Sequence, residues 1–266
     1  MKDEMLCEKV KRQLLLPRAG DTRAEVLVLS GSFSPIHTQH TALLEAVRIH
    51  LQNNGSTVAG GFLMPSSDDY VSSKLGSDAI ILRVRVRLCK LVTDRSDWLH
   101  VSPCGAMSSY WATRRLLRQL EQNCAASLAG RRVRGVEVMG SDTFLRIFGK
   151  MAKVATESDS ELTPYQERAV CCVIRPGINS ASEREKVGKL LPFAQDLRVD
   201  VTVFDSEDAR VAALRDISSS SIRQLIRRRD WDRLQEKGWL HPEVLSALRS
   251  DTEGNQQIDS LRQGAR

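Results

Sequence analysis

The chain has 266 residues, a formal net charge of +6, and 41% hydrophobic against 27% charged residues. That length suffices for one domain with a sizeable core, and the composition is typical of a globular protein. No apolar run approaches the roughly 20 residues of a membrane helix, and the N-terminus, with Asp3, Glu4 and Glu8, fits neither a secretory signal nor an acid-poor transit peptide.

Apolar runs alternate with helical patterns along the chain. Strands are predicted at Val26–Leu29, Thr57–Met64, Leu99–Val101, Val133–Met139, Ala169–Ile174 and Val199–Phe204. Helices are predicted at Thr41–Asn53, Ile80–Val92 and Trp111–Cys124. This alternation favours an α/β fold with a Rossmann-like, doubly wound parallel sheet flanked by helices in a single domain.

One stretch, Ile80–Val92, is ambiguous. Its middle, Arg83–Leu88, alternates between charged and apolar residues like a strand, yet Ile80, Val84, Leu88 and Leu91 also form a helical stripe. We predict a helix, because the apolar stretch is too long for a typical strand.

The two ends of the chain differ from its middle. Residues 1–24 form an N-terminal extension that could be helical between Leu6 and Leu16. Residues 25–248 form the predicted domain, and residues 249–266 are polar and predict a flexible C-terminal tail.

A glycine turn with two histidines, Gly31–His40, follows the first predicted strand and leads into the first helix of the domain. At such a junction phosphates can approach the backbone, and the helix N-terminus favours negative charge. His37 and His40 are about one helical turn apart, so both can face the same phosphates. A structural turn with two surface histidines would also fit this segment taken alone.

A second segment, Asp216–Arg223, has the composition of a capped helix start ahead of Leu225 and Ile226. Its serine hydroxyls, the free N–H groups of the first turn and the Arg223 guanidinium together suit a polyphosphate. Taken alone, an ordinary capped helix or a flexible serine loop fits slightly better.

The two segments together resemble the nucleotidyltransferase superfamily of adenylyl- and cytidylyltransferases, whose motifs are GxFxPxHxxH and ISSxxIR. Within it, the chain looks most like the nicotinamide/nicotinate mononucleotide adenylyltransferases. The resemblance covers about residue 25 to about residue 248.

Four further stretches support the narrower resemblance. Met64–Tyr70 with Lys74 resembles the segment that brings a lysine to the ATP phosphates, and Ser109–Thr113 resembles the segment that packs on the pyridine ring. The resemblance assigns that packing to Trp111 and Thr113.

The other two stretches follow predicted strands. Met139–Leu145 resembles the GxDxL segment, in which Gly140 and Asp142 lie beside ribose hydroxyls, and Cys172–Gly177 resembles the late strand that ends in an arginine, here Arg175. Family members often carry a Leu-Trp pair soon after the aspartate, but none stands between Met151 and Glu167.

The resemblance implies direct attack of a mononucleotide phosphate on ATP. His40 would donate to the α-phosphate, His37 would help to hold the phosphates, and Arg223 would bind the β- and γ-phosphates. Other residues implied to contact ATP are Gly31, Ser32, Phe33, Lys74, Ser219, Ser220, Ser221 and Ile222.

Expected ligands are ATP, a pyridine mononucleotide and Mg²⁺ carried by the ATP phosphates, with no cluster that suggests a dedicated metal site. Alternatives are another superfamily activity, such as pantetheine-phosphate or cytidylyl transfer, and a nucleotide-binding, chaperone-like protein with vestigial activity. A homo-oligomer is left open.

The positive charge and the cysteines give weaker signals. Basic residues are spread over several helical faces and aromatic residues make up only 5%, so nucleic acid is not an expected partner. Six cysteines without metal spacing are expected to be small core residues in a reducing compartment, cytoplasmic or nuclear.

Overall fold

The computed structural model describes residues 2–14, 23–102, 109–128, 132–157, 168–174, 180–205 and 217–253. Its strands are β1 (Arg23–Gly31), β2 (Thr57–Pro65), β3 (Leu99–Val101), β4 (Arg132–Gly140), β5 (Ala169–Val173) and β6 (Asp200–Phe204). Its helices are α1 (Lys2–Leu14), α2 (Thr38–Asn53), α3 (Asp68–Leu75), α4 (Leu82–Thr93), α5 (Ser109–Asn123), α6 (Ala125–Leu128), α7 (Ser141–Glu157), α8 (Ser180–Asp196), α9 (Ser219–Arg228), α10 (Trp231–Lys237) and α11 (Pro242–Glu253).

The strands form one parallel sheet in the order β3-β2-β1-β4-β5-β6. Strand β1 is central, and its Leu29 is in register with Leu63 of β2 and Val138 of β4. This order is that of a Rossmann-like doubly wound sheet, which confirms the predicted fold class. The order reverses between β1 and β4, and folds of this kind bind ligands at the carboxyl ends of such strands.

Helices cover both faces of the sheet, because alternate side chains of each strand point to opposite faces. Leu27 and Leu29 of β1 face the cluster that α2, α4 and α9 to α11 complete. Val26 and Val28 face the opposite side, where α1 and α5 pack on the first strands. Helices α7 and α8 cover the remaining strands through a third cluster that includes Phe144.

The stretch that the sequence left ambiguous forms helix α4. Its buried side chains, Arg85, Leu88, Cys89 and Val92, recur at the spacing of one helix face. The helical prediction is therefore confirmed, but the buried face includes a fully buried arginine that the predicted apolar stripe did not contain.

Helix α1 of the N-terminal extension packs on the sheet through Val10 and Leu14. The Nζ of Lys9 donates to two main-chain carbonyl oxygens, at 3.1 and 3.2 Å. Cys7 and Cys124, the latter just after α5, form a disulfide. The extension is thus attached to the domain by apolar, polar and covalent contacts.

Cys7 and Cys124 pack in or against the second core cluster, as expected, but the expectation that they are reduced is wrong. Their Cα atoms lie 5.1 Å apart although 117 positions separate them, so the spacing of nearby residues could not predict this disulfide. The other cysteines in the described residues, Cys89, Cys171 and Cys172, are buried thiols, and burial raises the pKa of each. Cys104 lies outside the described residues.

A buried ion pair lies beneath the first turn of α5. Arg168 donates two hydrogen bonds to the Glu137 carboxylate, at 2.8 and 2.6 Å, and both side chains are buried. The guanidinium also lies 5.2 Å from the centroid of the Tyr110 ring. The bidentate geometry offsets part of the cost of burying both charges, and it ties the start of β5 to β4.

Helix α11 continues to Glu253, so the first residues of the tail predicted from residue 249 onward are helical. The rest of that tail lies outside the described residues. Among the helices that the structure describes, none is long and apolar enough to cross a membrane.

Candidate active site

The turn after β1 has an unusual backbone. Phe33 has a φ of 44°, in the left-handed region that few non-glycine residues occupy, and the Ser34–Pro35 peptide bond is cis. A Cβ at Gly31 would lie 3.2 Å from the Phe33 ring, so a larger residue there would require the ring to shift by a few tenths of an ångström. The turn thereby brings His37 to the N-terminus of α2.

The two histidines of the turn lie ring to ring. Their centroids are 3.6 Å apart with an interplanar angle of 27°, and the main-chain N–H of His37 donates to His40 Nδ1 at 3.1 Å. Because Nδ1 accepts, a neutral His40 carries its proton on Nε2. The first turn of α2 therefore sets both the orientation and the tautomer of His40.

The second predicted segment forms the first turn of α9 and meets the first. Ser218 is the N-cap and accepts from the Ser221 N–H at 3.4 Å. The Ser219 hydroxyl lies 2.9 Å from His37 Nε2, although 182 positions separate the two residues. The two motifs thus share one hydrogen-bonded site.

Arg223 makes the second connection between the motifs. Its two terminal nitrogens donate to the Ser34 carbonyl oxygen at 3.1 Å and to the Ser220 hydroxyl at 3.0 Å. Its Nε lies 3.7 Å from the Asp78 carboxylate, which also binds Arg227 at 3.0 Å. Burial lowers the pKa of Arg223 and Asp78 opposes this, so the guanidinium stays charged beside the turn.

These elements enclose a cleft of about 600 Å³ at the carboxyl ends of β1 and β4. Most of the predicted site residues line it. They are Gly31, Ser32, Phe33, His37, His40, Lys74, Gly140, Asp142, Ser219, Ser220 and Arg223.

Ser221 and Ile222 do not line the cleft. The Ile222 side chain is fully buried in the core cluster, and the main-chain N–H of Ser221 serves the cap. These two residues build the first turn of α9, while Ser219 and Ser220 on the same turn line the cleft.

The residues predicted to pack on a pyridine ring lie outside the cleft as the structure outlines it. Trp111, on the first turn of α5, is 57% exposed, and the Arg114 guanidinium lies 6.0 Å from its ring centroid. Thr113 is buried, and its methyl would lie 2.6 Å from any Cβ placed on Gly135 of β4. Thr113 therefore packs on the sheet instead of lining the cleft, and Arg175 lies outside the described residues.

The sequence prediction missed a buried arginine behind the turn. Arg85 of α4 donates to the Ser32 carbonyl oxygen at 3.0 Å, to the Ile80 carbonyl oxygen at 2.6 Å and to Asp68 at 2.9 Å. The available signal was its spacing from Leu88 and Cys89, which places a cation on the buried face of the helix.

Comparisons with known proteins agree with the resemblance found in the motifs. A nicotinamide/nicotinic acid mononucleotide adenylyltransferase 2 of Xenopus tropicalis is 34% identical over 97 residues, or 36% of this chain and 30% of that protein. A nicotinamide/nicotinic acid mononucleotide adenylyltransferase of Oryza sativa subsp. japonica is 25% identical over 216 residues, which is 79% of each chain. The chain thus spans less than a third of the animal relative's length but most of the rice relative's.

No family model matches the chain. A solved structure from Vibrio parahaemolyticus superposes with a TM-score of 0.40 and 13% identity over 85% of this chain and 98% of its own, too weak a likeness to support a conclusion. The sheet order and the cleft at its switch point place the chain among proteins with a Rossmann-like doubly wound sheet. The named relatives confirm the similarity to nicotinamide/nicotinate mononucleotide adenylyltransferases.

Proposed function

We propose that this chain transfers an adenylyl group from ATP to a pyridine mononucleotide, giving a dinucleotide and pyrophosphate. The observation that carries the proposal is the junction of the two motifs, in which His37 meets Ser219 and Arg223 meets Ser34. This junction brings imidazoles, hydroxyls and a guanidinium together at a helix N-terminus, where a polyphosphate is favoured.

The reaction needs no covalent enzyme intermediate. A phosphate oxygen of the mononucleotide attacks the α-phosphorus of ATP, and the bond from that phosphorus to the pyrophosphate oxygen breaks. Negative charge spreads over the phosphoryl oxygens in the transition state, so catalysis depends on alignment and on fixed donors. His40 supplies such a donor through Nε2, because its Nδ1 already accepts from the backbone.

The β- and γ-phosphates are assigned to the start of α9 and to Lys74. Arg223 already donates to two protein acceptors in the structure, so its side chain would lose little conformational freedom when a ligand binds. Ser219, Ser220 and Lys74 line the same cleft. The leaving pyrophosphate would therefore be stabilised by groups that are already in place.

Mg²⁺ is proposed to arrive with the triphosphate. Asp142 is a carboxylate that lines the cleft, and phosphate oxygens and water would supply most of the ligands, as is usual for Mg²⁺ carried by a nucleotide. The ion would neutralise part of the negative charge on the phosphates.

The mononucleotide is assigned to the Gly140 and Asp142 side of the cleft. A Cβ on Gly140 would lie 2.7 Å from Asp142 Oδ1, so a larger residue there would displace the carboxylate that is expected to bind ribose hydroxyls. The resemblance assigns stacking on the pyridine to Trp111, whose ring is exposed at the start of α5 and lies outside the cleft as the structure outlines it.

The test is turnover of the full chain with ATP, Mg²⁺ and either the amide or the acid form of the mononucleotide. Dinucleotide and pyrophosphate should form in equal amounts. Stacking depends on the face of the pyridine ring and not on whether the ring carries an amide or a carboxylate. The kcat/KM values for the amide and acid forms should therefore differ by no more than about a hundredfold. A preference above about a thousandfold would reveal a recognition group for that substituent.

Two controls separate this proposal from its alternatives. Phosphopantetheine in place of the mononucleotide should give no product, and neither should CTP in place of ATP. These results would distinguish the reaction from related nucleotidyl transfers. If ATP binds but no mononucleotide is converted, the chain is a binding protein and the proposed reaction is wrong.

A further inference from the structure

Gln39 is an unassigned polar residue in the cleft. It lies on the first turn of α2, the residue is only 5% exposed, and it lines the cleft. Within the described part of the chain, its Nε2 has no hydrogen-bond partner. Buried donors are bonded in nearly all native proteins, and an unbonded one costs about 1–3 kcal/mol. Gln39 therefore combines a buried, unbonded donor with a place in the lining of the cleft, as expected of a residue that binds a ligand there.

The surroundings of Gln39 indicate which part of the ligand it meets. Leu43 is one helical turn further along α2 and also lines the cleft, so an amide and an apolar side chain stand on the same side of the helix. Ile217, which packs in the same apolar cluster as Leu43, lines the cleft as well.

The charged and hydroxyl groups of the cleft suit phosphates, whereas a neutral amide beside apolar side chains suits a neutral acceptor. We infer that Gln39 is a binding residue for the adenosine half of ATP and that its Nε2 donates a hydrogen bond to that nucleoside. This inference rests on the proposed function, because it takes ATP as the occupant of the cleft.

The test compares Gln39→Met with Gln52→Met. Methionine keeps the length of glutamine and removes the amide, and Gln52 is a half-buried glutamine near the other end of the same helix that does not line the cleft. The probes are ATP, which carries the nucleoside, and inorganic tripolyphosphate, which does not. Calorimetric titration gives the affinity of each variant for each probe.

Gln39→Met should weaken ATP binding by about 3- to 10-fold, as expected for one neutral hydrogen bond. Tripolyphosphate binding should stay within about twofold of the wild type, and Gln52→Met should change neither affinity. Unchanged ATP affinity in Gln39→Met would overturn the inference. An equal loss with tripolyphosphate would also overturn it, because the contact would then be to a phosphate.

A second measurement needs no folded variant. In a spectrum of the ¹⁵N-labelled wild type, the side-chain amide signals of Gln39 should move with ATP and not with tripolyphosphate. Signals that do not move with ATP would contradict the inference even if Gln39→Met failed to fold. If the wild type does not bind ATP at all, the proposed function itself fails, and the two failures are thus distinguishable.

Discussion

Arg223 is the residue whose replacement tests the site most directly. Two of its nitrogens bind the Ser34 carbonyl oxygen and the Ser220 hydroxyl, so the guanidinium is fixed on both motifs at once. Arg223→Ala removes this cation from the cleft. The Asp78 carboxylate keeps its contact with Arg227, so the substitution does not leave that charge without a cation.

The expected loss follows from one charge-assisted contact. Hydrogen bonds to charged groups contribute about 1.5–3 kcal/mol, and each 1.4 kcal/mol is roughly a tenfold change in affinity. Arg223→Ala should therefore weaken ATP binding by about 10- to 100-fold. Affinity for the mononucleotide should change little, because Gly140 and Asp142 lie on other elements of the cleft.

Calorimetric titration with ATP and with the mononucleotide measures both effects. Arg223→Lys keeps the charge but not the planar fork, so its ATP affinity should fall between that of the wild type and that of Arg223→Ala. Arg228→Ala is the matched control, since Arg228 is an exposed arginine of the same helix outside the cleft. Unchanged ATP affinity and turnover in Arg223→Ala would show that the triphosphate binds elsewhere.

Three further substitutions test other parts of the structure. His40→Ala should lower turnover by roughly 10²-fold in steady-state kinetics, because it removes one fixed donor from the site. Arg168→Leu should lower the free energy of unfolding in urea by about 3–5 kcal/mol, because Glu137 stays buried without that guanidinium. Burial lowers the pKa of His100 to about 4, so the unfolded chain takes up a proton at this histidine before the folded chain does. The free energy of unfolding should therefore fall as the pH drops from 6.5 toward 4. His100→Gln should reduce this dependence of stability on pH.

Each of these predictions has a contrary result. Near-normal turnover in His40→Ala, with Asn53→Ala as the control on the same helix, would remove His40 from the chemistry. If Arg168→Leu has the same free energy of unfolding as the wild type, the ion pair contributes nothing to stability. If stability does fall, the double variant Arg168→Leu/Glu137→Leu should recover part of it, because the buried carboxylate is then removed as well. If the free energy of unfolding of His100→Gln depends on pH as that of the wild type does, groups other than His100 cause the dependence.

The sequence predicted what local signals determine. Alternating apolar runs identify the strands, and the glycine turn and the serine cap mark where α2 and α9 begin. That the segments of His37 and Ser219 act at the same phosphates was implied by the family resemblance of the two motifs, and not by any pattern within either segment. The fold was therefore predictable from local patterns, whereas the joining of the two segments was predictable only through the resemblance.

Packing between distant elements decided the rest. The motif predicts that Thr113 contacts the substrate. In the structure Gly135 leaves room for the Thr113 methyl against β4, so Thr113 is buried. This burial depends on a strand that comes later in the chain. The pairing of Cys7 with Cys124 depends on how α1 docks beside α5. In both cases the outcome depends on a partner that no pattern near the residue identifies.

Two arginines, one fully buried and one partly buried, contact the turn that is proposed to bind phosphate. Carbonyl oxygens within a turn would repel a phosphate, yet two of them are already engaged: Ser32 accepts from Arg85 of α4, and Ser34 accepts from Arg223 of α9. Guanidinium groups from two helices thus offset the negative end of these peptide dipoles and fix the turn at both points. The packing of these two helices thus leaves two fewer free carbonyl oxygens in the turn, which favours the phosphate binding proposed for it.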